Sequence, residues 1–365
     1  MYCWIHKGDL LARALLKDDI EIRYIEESKK FSPSPVDVLV VPKGDIIASL
    51  IENKKSCRVS YYDAYVENVF NHMSGVNTYD YMYLNYHLHN KAVSTVFIGS
   101  SYMNFGIDVS LVDKAANLAL ASQDIYYSVM LAKKLYNHTK YKKIFLGGYY
   151  YTIFSDLSMT KDHAELAKIS DIYSRIFSGA EGFHHAICLP DRSEPDRVNG
   201  IYDKKRIDNY LSKKIFGATD GNYWGSINRE THRMYPKSWG DYTDEEKQEL
   251  GKWRANCHNK GIRYKSSFKE NLDILCAFMT WCETHEIELN IINFPVTKFY
   301  RRYFSDEFSQ IYYECLERMR MDGLKFNLYD FESVPFDDSD FVDTDHLNDC
   351  GARKLTSIIL DMSRC

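Results

Sequence analysis

Short apolar runs of strand length, each cut off by Gly or Pro or followed by a helical pattern, constrain this chain more than any other feature of its sequence. Ser94–Ile98 (STVFI) ends at Gly99-Ser100-Ser101, and Ala115–Ala121 (AANLALA) precedes a helical pattern over Ile125–Tyr136. Lys143–Leu146 (KIFL) opens onto Gly147-Gly148, Glu288–Phe294 (ELNIINF) stops at Pro295, and Leu324–Tyr329 is a fifth run. Helices are predicted in the gaps, notably over Lys269–His285 and Asp306–Met321. Runs without polar alternation suit strands covered on both faces. Strands alternating with helices predict an α/β fold, here a parallel five-stranded sheet sandwiched by helices, whose ligands gather at the carboxyl ends of the strands.

Two regions stand outside that rhythm. Residues 1–88 are predicted to form a small N-terminal α/β unit, with strands over Glu21–Ile25, Val36–Val41 and Cys57–Tyr61. Pro42-Lys43-Gly44 breaks the second of these, and Asp45 can cap a helix over Ile46–Glu52. The Gly and Asp there admit a nucleotide site, but G-x-G-x-x-G is absent, and the next βα unit of a sheet is the plainer account. The larger domain, 89–365, is interrupted at about 182–265 by a polar insertion rich in Gly, Asp, Arg and Trp.

Composition narrows the function classes. Of 365 residues, 45% are hydrophobic and 27% charged, which suits a globular protein of one large domain with an appendage. A net charge of -5 supplies no excess cation for general phosphate-backbone binding, so nucleic acid is not expected as a partner. The first residues hold no apolar run of signal-peptide length, and no stretch long enough to span a bilayer occurs, so no membrane span is expected. The nine cysteines are scattered singly, without C-x-x-C, as expected of reduced thiols in a cytoplasm, and no metal site or cofactor is expected. The 29 tyrosines fit a general enrichment in Tyr, Asn, Ile and Lys, or else flat platforms for sugar rings.

Two short motifs carry chemistry. After the strand ending at Ile98, Gly99 permits a sharp turn that sets the Ser101 hydroxyl at the rim of the sheet. The Ser101 N–H, at the start of a helix, can face a developing oxyanion. Near the other end, Asp343-Thr344-Asp345-His346 precedes a predicted helix over Ala352–Asp361. The three-residue spacing lets Asp343 reach Nδ1–H of His346, leaving Nε2 to act as base toward a serine. Each motif alone is weak: the first is also an ordinary helix start, the second an ordinary loop. Asp343 and Asp345 could share a metal, but the imidazole already uses such charge.

Taken together, VFIGSSYMNFGID, ANLALASQD and DFVDTDHLNDCGARKLT resemble the blocks of the SGNH (GDSL-like) hydrolase family. The resemblance covers about 94–160 and 285–363. It is closest to the O-acyltransferase-like branch that holds alginate O-acetyltransferases and D-alanyl-lipoteichoic-acid transfer proteins. It implies a flavodoxin-like sheet and a triad of Ser101, Asp343 and His346, with Ser100 where the family has Asp. It also implies backbone oxyanion donors at Ser101 and at Ser122, which stands where the family has Gly. The family's third block supplies an Asn, whereas here Gly147-Gly148-Tyr149-Tyr150 stands in its place, so Tyr149 is the candidate substitute. Loss of one oxyanion donor costs roughly two to three orders of magnitude in rate.

In the insertion, Arg254, His258 and Lys260 are candidates for holding an anionic or sugar-bearing substrate, or else they line a solvated helix face. Arg254 and His258 are expected to face the Ser101 pocket. His184-His185 and the Trp224 and Trp239 loops are read as a sugar-stacking wall or as loop packing. The function expected is an esterase or O-acyltransferase acting on a small-molecule or glycan substrate, with an acyl donor if it transfers. Two alternatives stay open: a catalytically silent binding module, and a nucleotide- or phosphosugar-handling enzyme using the N-terminal unit. The oligomeric state is left undetermined.

Overall fold

The computed structural model describes residues 1–26, 31–54, 56–72, 76–89, 92–186, 200–217 and 234–362. The chain divides into two compact units, Met1–Asn85 with Asp191–Ala218, and Tyr86–Pro190 with Thr219–Cys365. The motifs predict a single cut between 88 and 89, with 182–265 wholly in the larger part. Instead the first unit draws on a second, distant stretch of chain.

In the first unit, β1 (Cys3–His6), β2 (Ile22–Ile25), β3 (Val38–Val41) and β4 (Arg58–Tyr61) form a parallel sheet in the order β2-β1-β3-β4. Every residue of β3 is buried, as its unbroken apolar run requires, and Leu39 and Val41 pack with Trp4, Ile25, Ala48 and Ile51. Strand β1 has no apolar run to announce it. It becomes a strand because its neighbours on both sides supply the ladder. The helix Lys204–Phe216 belongs to this unit through long-range bonds. Asp203 N–H donates to the Leu15 carbonyl at 2.9 Å, and Tyr81 Oη donates to Asp208 at 2.7 Å.

The second unit is the five-stranded α/β domain. Strands β5 (Thr95–Gly99), β6 (Ala115–Asn117), β7 (Lys143–Gly148), β8 (Glu288–Asn293) and β9 (Asn327–Asp330) are all parallel, in the order β6-β5-β7-β8-β9. Chain order reverses at β5, whose sequence successor β6 lies on one side and β7 on the other. A crevice at the carboxyl end of β5 is therefore the expected ligand position. Gly99 ends β5 at φ +141°, paired with Gly147, and a Cβ there would run into the Gly147 carbonyl. Only glycine lets these two backbones approach.

Strand β6 is shorter than the apolar run predicts. At Leu118 the chain leaves the sheet but stays buried, because side chains take over its backbone bonding. Asn117 Oδ1 accepts the Ala119 N–H at 3.0 Å, and Asn104 Nδ2 donates to the Ala119 carbonyl at 2.5 Å. The helix Ile125–His138 then starts on its Asp124 cap, and Lys265–Thr284 and Asp306–Met321 follow further on. No helix among the described residues is long and apolar enough to cross a membrane.

Candidate active site

Ser101 opens the helix Ser101–Gly106 directly after β5, half-buried at the rim of the sheet. The N-cap residue Ser100 makes no side-chain cap bond, and its buried hydroxyl has no partner among the described residues. The Ser101 N–H is the first of the helix, where neither an intrahelical carbonyl nor the cap side chain takes it, so it is open to a negative oxygen.

Asp343 and His346 sit in the loop before the last helix, Asp349–Met362. That loop is a closed turn: Phe341 bridges Leu347, and the Val342 N–H donates to the His346 carbonyl at 2.9 Å. Inside it, Asp343 Oδ1 accepts the backbone N–H of Asp345 at 2.9 Å and of His346 at 2.8 Å. The carboxylate is fixed by its own loop, and its Oδ2 lies 2.9 Å from His346 Nδ1. With Nδ1–H donating to Asp343, Nε2 is left to accept, and Ser101 Oγ stands 2.8 Å from it. Residues 245 positions apart are brought into one relay. Tyr102 and Phe105 pack against the imidazole, with centroids 5.1 and 5.0 Å away.

Electrostatics around the imidazole follow from Asp345, which the motifs offered only as a possible metal ligand. Burial lowers the His346 pKa, but Asp343 and Asp345 outweigh it, so the net shift is upward. Asp345 is fully buried and accepts from Tyr102 Oη at 2.7 Å, Thr344 Oγ1 at 2.8 Å and Arg254 Nε at 3.1 Å. Burial raises its pKa, yet Arg254 and then His346 hold it well below the ordinary carboxylate range. Tyr102 is pushed up, by burial and then Asp345, and stays a neutral donor. The cation beside the Asp343–Asp345 pair is therefore a guanidinium. Thr297 ties the loop down, its Oγ1 donating to the Thr344 carbonyl at 2.6 Å.

The candidate binding residues separate. Arg254 and His258 are four apart on the helix Asp244–Asn259 and share a face. Arg254 reaches Asp345, and His258 lies under Tyr151 at 3.9 Å with Nδ1 2.6 Å from Tyr300 Oη. Burial and then Arg254 hold the His258 imidazole well below its ordinary pKa, so it is neutral and not the cation expected for an anionic ligand. Lys260 is exposed beyond the helix end, about one and two-thirds turns along from Arg254, and the site does not include it.

Of the oxyanion candidates, Ser122 is exposed and holds φ +61°, the left-handed region where glycine is at home. The carbonyl of its neighbour Ala121 accepts from Lys168 Nζ at 2.9 Å. Tyr149 is a correction. Its hydroxyl donates to Glu332 at 3.1 Å and its N–H to Thr152 at 3.0 Å, so both donors are taken by the surrounding packing. Trp239 is likewise buried, against Tyr235, Tyr242 and Phe299, and forms no open wall. Trp224 lies outside the described residues.

No protein-family model matches the chain, and no curated protein matches it. Tyr151 and Tyr300 are the site residues that motif reasoning missed, and it weighed Asp345 only as a metal ligand, not as the partner of Arg254. The sole local signal was a second Asp beside the His.

Proposed function

We propose that this chain is a serine-dependent acyl-ester enzyme of the SGNH-like kind, an esterase or O-acyltransferase acting on a carbohydrate or similar hydroxyl-bearing substrate. The observation that carries the proposal is the unbroken relay Ser101 Oγ, His346 Nε2, His346 Nδ1, Asp343. A role in cell-surface polysaccharide metabolism and a cytoplasmic location belong to the same proposal.

In the reaction, His346 Nε2 takes the Ser101 proton as Oγ bonds to the acyl carbon, and Asp343 stabilises the imidazolium. The carbonyl oxygen becomes an oxyanion facing the Ser101 and Ser122 N–H groups. Collapse breaks the C–O bond to the leaving alcohol, which leaves with the proton from His346. Water or a sugar hydroxyl, deprotonated by His346, then attacks the acyl-serine and restores Ser101. Arg254 spends Nε on Asp345, while its η nitrogens have no protein partner among the described residues. Their fork suits a carboxylate or phosphate on the substrate.

A second proposal, a silent binding module, is favoured by one observation: Tyr149 offers no free donor where the family has Asn. Labelling by a fluorophosphonate probe, with p-nitrophenyl acetate turnover, separates the two. Ser101→Ala should abolish both while leaving thermal unfolding unchanged. Labelling undiminished in the variant would point to another nucleophile, and no labelling of the native chain would favour the silent module.

A further inference from the structure

A second group of ionisable side chains in the larger unit has no part in the relay. His184 and His185 stack ring on ring, with centroids 3.9 Å apart and planes 25° from parallel. Both turn Nδ1 toward one carboxylate: His184 is 3.6 Å from Asp156 Oδ1, and His185 is 3.2 Å from Oδ2. At the opposite edge, both Nε2 atoms stand 3.4 Å from Glu270 Oε1.

Asp156 Oδ1 also accepts from the Ser158 N–H at 2.9 Å and from Ser158 Oγ at 2.5 Å, and His184 Nδ1 stands 3.2 Å from Ser158 Oγ. The histidine–carboxylate contacts are longer than the about 2.7–2.9 Å of a close ion-paired hydrogen bond. They match the spacing of ligand atoms around a shared ion. With metal–ligand bonds of about 2.1 Å, tetrahedral ligands lie about 3.4 Å apart. The surroundings ask for a cation. Asp156 keeps only 4% of its side-chain surface. The next residue, Leu157, gives its N–H to Asp124, a second buried carboxylate. The His184 backbone is held at φ +50°, a strained conformation that places its ring beside its neighbour's. Tyr126 stacks on the ring at 3.8 Å and 7°, and fixes it there. His185, 43% exposed, leaves a way in from solvent.

We propose that Asp156, His184 and His185 bind a divalent transition metal of the zinc class, with Glu270 holding the far edge of both rings. Two imidazoles with one carboxylate suit zinc, cobalt or nickel, whereas calcium and magnesium want oxygen alone. Glu270 takes the place of the outer carboxylate that commonly orients metal-bound histidine. The ion would join three segments: the turn at Asp156 after β7, the helix Lys265–Thr284 through Glu270, and the loop carrying the histidines.

The test uses the full chain, stripped with a chelator and titrated with Zn²⁺ by calorimetry and with Co²⁺ by visible absorption. One equivalent per chain is expected, with Co²⁺ bands of a nitrogen–oxygen site and no thiolate charge-transfer band. His185→Ala alters an exposed side chain, so the fold should persist, and binding should weaken roughly 100-fold. Glu270→Gln should weaken it about 10-fold. Absence of uptake by the native chain overturns the proposal. So does uptake that persists undiminished in His185→Ala, or that shows a thiolate band.

Discussion

Asp345→Asn removes one charge from a buried pair and leaves nearly everything else in place. Asparagine keeps the shape but has one acceptor oxygen, so it can still accept from Tyr102, which reaches Oδ2, or from Thr344, which reaches Oδ1, and not from both. Arg254 would then hold its charge with only 19% of its side chain exposed and no anion at Nε. Two unit charges 3.1 Å apart interact by about 5 kcal/mol at an effective dielectric of 20. Breaking a buried pair from one side costs about 3–5 kcal/mol in practice. With only one of those hydrogen bonds retained, a loss of about 3–5 kcal/mol is expected, read from the midpoint of urea unfolding. A second readout has a definite sign. Asp345 lies 3.8 Å from His346 Nδ1 and favours the imidazolium, whereas Arg254 disfavours it. Removing the carboxylate therefore lowers the His346 pKa, and the acid limb of kcat/KM should move to lower pH. A variant within about 1 kcal/mol of the native chain, with the limb unmoved, refutes the view that Asp345 is a paired charge acting on His346.

In the native chain, kcat/KM should climb with pH through an apparent pKa above 6.5, because His346 must be neutral and its pKa is raised in the fold; a limb centred below 6.5 contradicts this. The same shift makes His346 a stabilising group below its unfolded pKa. Its contribution should fade as pH rises from about 6.5 through the higher folded value, as unfolding at several pH values would show. Gly99→Ala should destabilise by at least about 2 kcal/mol, from a forbidden φ and a collision with the Gly147 carbonyl, and a neutral substitution would contradict the close approach of β5 and β7. Ser122→Gly should stabilise by up to about 1 kcal/mol in urea unfolding by relieving φ +61°, whereas destabilisation would mean that the serine side chain is itself required.

Much of the larger domain was legible in the sequence because its signals are local. Unbroken apolar runs fall on β5, β7 and β8, and the helix Asp306–Met321 matches its periodicity end to end. Asp343 and His346 were legible as a pair because three residues of one loop can meet without help from the rest of the fold. Strand β1 was not, since four residues of mixed character become a strand only when β2 and β3 present their ladders.

The sequence by itself determined the alternation of strands and helices, and the positions at which a serine, an aspartate and a histidine could carry chemistry. Tertiary structure alone decided what surrounds them. Arg254 reaches Asp345 across 91 positions and Tyr102 reaches it across 243, while Tyr149 turns its hydroxyl to Glu332, 183 positions away. No local pattern encodes such meetings. A charge in a motif is specified by one residue, but its pKa, its partner and its freedom to meet a ligand depend on burial and on groups brought close only when the sheet closes.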